Sequence, residues 1–67
     1  MQKAITVIAG GNVVAKLVYA GNLSFADSES ARLQAEYPTY TVTLYGSDQD
    51  SDFVNAIFAN PDHITII

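Results

Sequence analysis

The chain has 67 residues, no cysteine and one histidine, and three basic residues against seven acidic ones give a formal charge of −4. Without cysteine it has neither disulfides nor thiolate metal sites, and a zinc centre would have to rest on His63 and carboxylates alone. Lys3, Lys16 and Arg32 are too few and too scattered to neutralise phosphates, which disfavours direct binding of nucleic acid. A domain this small hides only about 60% of the surface it exposes when unfolded, so good packing or a partner chain must supply stability, and a partner is expected. No charged and apolar leader opens the chain, and no apolar run approaches the roughly 20 residues of a bilayer span. A soluble, cytoplasmic protein is the expectation, with Asn22-Leu23-Ser24 a chance match to a glycosylation sequon.

Residues 2–9, QKAITVIA, are short, rich in β-branched side chains and end at Gly10-Gly11, which reads as a strand. Residues 12–20, NVVAKLVYA, fit two periods. Alternation places Val13, Ala15, Leu17 and Tyr19 on one face and Val14, Lys16 and Val18 on the other, whereas Val13, Val14, Leu17 and Val18 also suit a helix. The valines and the paired glycines favour a β-hairpin. A phosphate loop is not supported, since neither GxxxxGK nor GxGxxG is present.

The next stretch, LSFADSESARLQAEYP, predicts a helix that opens on a capping box of Ser24 and Asp27 and stops before Pro38. Ala26, Leu33 and Tyr37 would face the core, and Glu29, Arg32 and Glu36 would pair on the surface. Residues 39–45, TYTVTLY, alternate as a half-covered strand, with Tyr40, Val42 and Leu44 opposite Thr39, Thr41, Thr43 and Tyr45. The run GSDQDSDFVNAIFANPD carries Phe53, Val54, Ile57 and Phe58 at helical spacing and breaks at Asn60-Pro61. The final HITII predicts a short strand lying inside the sheet.

This order, ββαβαβ, predicts one α+β domain over residues 1–67 with a sheet of about four strands. Because β-α-β connections are right-handed, both helices are expected on one face of the sheet.

Asp48, Asp50 and Asp52 alternate in a way that invites comparison with a calcium loop. Counting from Asp48, however, Phe53 stands where an EF-hand needs glycine, and Ala59 where it needs glutamate. The three carboxylates fit the positive end of a helix, and they could double as an acidic docking surface. Asp62-His63 could be half of an acid–base pair, but no nucleophile motif accompanies it. No catalytic, cofactor or metal residue is assigned.

With two helices on one face, the other face of the sheet would be open and apolar: Ile8, Val14, Val18, Thr41, Thr43 and Tyr45. A patch of that kind marks an interaction site. The expected function is therefore a non-enzymatic protein-interaction module, an accessory or inhibitory factor of the sort phages encode, which docks on a partner or forms a homodimer through that face. The alternatives are a small enzyme using His63 with the nearby acids, and a structural subunit of a larger assembly.

Overall fold

A computed structural model describes residues 2–46 and 51–67, with Val54 described by its backbone alone. The elements follow the expected order: β1 (Lys3–Ala9), β2 (Asn12–Tyr19), α1 (Leu23–Glu36), β3 (Thr41–Tyr45), α2 (Ser51–Ile57) and β4 (Ile64–Ile66). The strands form one sheet in the order β3-β1-β2-β4, with β1 antiparallel to both neighbours and β4 parallel to β2. No described helix is long and apolar enough to cross a membrane.

The β1–β2 connection is the hairpin that the valines favoured. Ala9 pairs with Asn12, and the two residues between them, Gly10 and Gly11, have φ of 59° and 82°. Positive φ at both central positions is the geometry whose twist matches that of the flanking strands. One slip follows. Val7 pairs with Ala15 but Ile8 pairs with Val13, which leaves Val14 as the extra residue of a β-bulge. Alternation therefore holds from Ala15 to Tyr19 and breaks at Val13, which stands opposite Ile8 and is not part of the core under α1.

Helix α1 begins two residues earlier than the expected capping box. Asn22 is the cap: its Oδ1 accepts the Phe25 N–H at 3.1 Å and the Ser24 hydroxyl at 2.8 Å. Asp27 instead accepts from Lys3 Nζ at 2.8 Å, joining the helix to β1. At the other end Tyr37 closes the helix by donating its N–H to the Leu33 carbonyl, and its ring stays exposed, stacked on Tyr40 rather than buried. Arg32 pairs with Glu29 and Glu36 as the spacing predicts. Gln34 adds a tie that the sequence did not announce: its amide donates to the Tyr40 carbonyl at 2.8 Å and accepts the Val42 N–H at 3.3 Å.

The helices do not share a face. Helix α1 covers Ile5, Val7 and Tyr19 through Ala26 and Leu33, with Leu17, Tyr40, Val42 and Leu44 packed around them. Helix α2 packs Phe53 and Ile57 on Ala4 and Val18, with Tyr45 and Ile64 alongside. Since Ala4 and Ile5 are successive strand residues, their side chains point to opposite sides. The sheet is therefore a middle layer.

The handedness rule fixes the hand of each crossover, but the side on which its helix lies depends on the direction of travel. The β2-α1-β3 connection crosses over β1 toward one edge, and β3-α2-β4 returns across β1 and β2 to the other. Two crossovers of one hand running in opposite directions place their helices on opposite faces. Strand β4 is correspondingly an edge strand rather than an inner one, and Ile64 belongs to the α2 side.

Candidate interaction surface

The face expected to be open can be rebuilt from the strand pairing. Ala4 pairs with Tyr45 and Val18, Thr6 with Thr43 and Lys16, and Ile8 with Thr41 and Val13. Cross-strand partners project to the same side, so Ile8, Val18, Thr41, Thr43 and Tyr45 do share one face, with Val14 at its bulge. What the sequence missed is the cover. Val18 is fully buried beneath Phe53 and Ile57, and Tyr45 packs against the same cluster. These two do not form a free surface.

The uncovered part is the end nearer the hairpin. Val14 is 46% exposed, Thr41 is exposed, and Ile8 and Thr43 are half-buried. The bulge leaves Val14 without a Cα partner on β1. Apolar exposure continues elsewhere at Phe58, Ile66 and Ile67, the last two in and beside the edge strand β4. An edge strand offers unpaired backbone donors and acceptors along its outer side.

Between the covered and open parts runs a polar row. Lys16, which alternation sets on the same face as Val14 and Val18, is only 3% exposed. Its Nζ donates to the carbonyls of Ile57 and Asn60, at the C-terminal end of α2 and just beyond it. Carbonyls at a helix end carry partial negative charge and lack intrahelical donors, so an ammonium is suited to them. Thr6, its neighbour on β1, is equally buried, and its Oγ1 has no hydrogen-bond partner among the described residues.

Asp52 lies exposed in the first turn of α2, while Asp48 and Asp50 fall outside the described residues. His63 is exposed and has a left-handed backbone, φ 67°; its carbonyl accepts the Lys16 N–H at 3.0 Å where β4 joins β2. Its position is explained by that strand entry. Among the described residues, no group of three histidine or carboxylate side chains is placed to hold a metal ion.

The sequence carried a cue that this face needs a cover, but not which helix supplies it. A second sheet face carrying Ala4, Ile8, Val14 and Val18 is too apolar for water, and the Phe53–Ile57 stripe needed somewhere to pack. Those two needs answer each other. No protein-family model matches the chain, and neither does any curated protein or solved structure.

Proposed function

We propose that this is a small acidic, non-enzymatic interaction protein, an accessory or inhibitory factor that meets a second copy or another protein through the open end of the α2-side sheet face. The observation that carries the reading is the exposed Val14 at the β2 bulge, set among Ile8, Thr41 and Thr43 and left uncovered by α2. Uncharged, partly apolar sheet surface of this kind favours contact with protein, and the chain's acidity favours a basic partner over an acidic one.

The experiment is a concentration series by light scattering, paired with cross-linking capture from the host, on the native chain and on Val14→Glu. Association that is present in the native chain and lost in a folded Val14→Glu supports the proposal. A native chain that stays monomeric at high concentration and captures the same proteins as Val14→Glu overturns it.

A further inference from the structure

The two faces of the sheet are held down very differently. Helix α1 is 14 residues long and lies on a cluster of aliphatic and tyrosine side chains. Helix α2 has seven residues, too few to be stable alone, and its described buried side chains are Phe53 and Ile57, with Ala56 only half-buried. Among the described residues the buried polar side chains are Thr6 and Lys16, and both belong to the sheet face on which α2 packs. A hydroxyl without a hydrogen-bond partner among the described residues opposes burial, and it regains water if α2 lifts. Lys16 acts the other way, since its ammonium is bonded to the Ile57 and Asn60 carbonyls in the closed state. One polar group that favours opening and one that resists it thus belong to the face under α2.

We propose that α2 is a lid: it lifts off as a unit while the sheet and α1 stay folded, and it uncovers Ala4, Val18 and Tyr45 beside Lys16. Lys16 is the clasp, because its bonds to the Ile57 and Asn60 carbonyls must break for the lid to rise. Thr6 weakens the closed state. Lifting extends the open strip at Val14 across Val18 and Tyr45. Only that use of the uncovered surface rests on the interaction reading; the opening itself does not.

The absence of native cysteine allows a direct test. Single variants Val18→Cys and Val7→Cys place a thiol under α2 and under α1 respectively. Static exposure favours Val7, at 6% against 0% for Val18, so simple accessibility predicts the opposite order from the lid. The lid predicts that the thiol at 18 reacts with an aromatic disulfide reagent at least tenfold faster than the thiol at 7, after correction for each variant's global stability. Adding Thr6→Val should slow labelling at 18 severalfold, and adding Lys16→Ala should speed it, with labelling at 7 unchanged by either.

Equal corrected rates at 18 and 7 would mean that both thiols are reached only by global unfolding, and the lid would be wrong. A faster rate at 18 that ignores both Thr6→Val and Lys16→Ala would also overturn it, since opening would then not involve the clasp. Neither result depends on whether Val14→Glu alters association.

Discussion

Double-mutant cycles give a demanding test of the opposite-face arrangement. Phe53 is completely buried against Val18 on one side of the sheet, while Leu33 packs on the other. Truncating such a phenylalanine to alanine costs about 3–5 kcal/mol. A domain of this length holds roughly 3–10 kcal/mol in total, so that change could unfold it outright. Phe53→Leu retains most of the volume and is expected to cost about 1–2 kcal/mol, with Val18→Ala costing about 2 kcal/mol. Because Phe53 and Val18 belong to one packed cluster, their combined effect should depart from additivity by about 0.5–3 kcal/mol. Phe53→Leu combined with Leu33→Ala should instead add to within about 0.5 kcal/mol, since a β-layer separates them. Urea unfolding followed by circular dichroism, with m-values unchanged among the variants, supplies the numbers. Additivity between 53 and 18 together with strong coupling between 53 and 33 would refute the two-sided packing, because that is the pattern of helices sharing one face.

Three further perturbations probe the local structure. Gly11→Val forces a β-branched side chain into φ 82° and should cost about 1–2 kcal/mol or more in urea unfolding; a neutral result would exclude the two-glycine turn. Asn22→Ala should destabilise by about 1 kcal/mol as loss of the α1 cap, and Ser24→Ala by less, which reverses the ranking that a capping box at Ser24 would give. The third is a pH effect. Hydrogen bonding and charge from Arg32 hold the Glu29 carboxyl below its usual range, so its contribution is present above the unfolded-state value and lost as pH falls through the folded one. Unfolding midpoints measured across the acid range should lose that component in Glu29→Gln, and identical pH profiles for the two proteins would remove the pair from the account.

The local elements were legible because each rests on interactions within a few residues. Gly10-Gly11 demanded a turn, the alternation of Tyr40, Val42 and Leu44 demanded a half-covered strand, and the spacing of Glu29, Arg32 and Glu36 paired them on one helix. Where the reading failed locally, two local solutions competed: Asn22 and Ser24 are both good caps, and the bulge at Val14 changes register without changing composition.

The side on which α2 lies was decided only by tertiary structure. Handedness is a property of one crossover, but the face it covers depends on which edge of the sheet the next strand reaches, and that is set by long-range pairing of β3 with β1 and of β4 with β2. The same pairing carries Lys16 from an apparent surface charge to a buried clasp, because the carbonyls that accept it lie some 40 positions further along the chain. Residue order determined which side chains alternate together. Strand order determined what covers them.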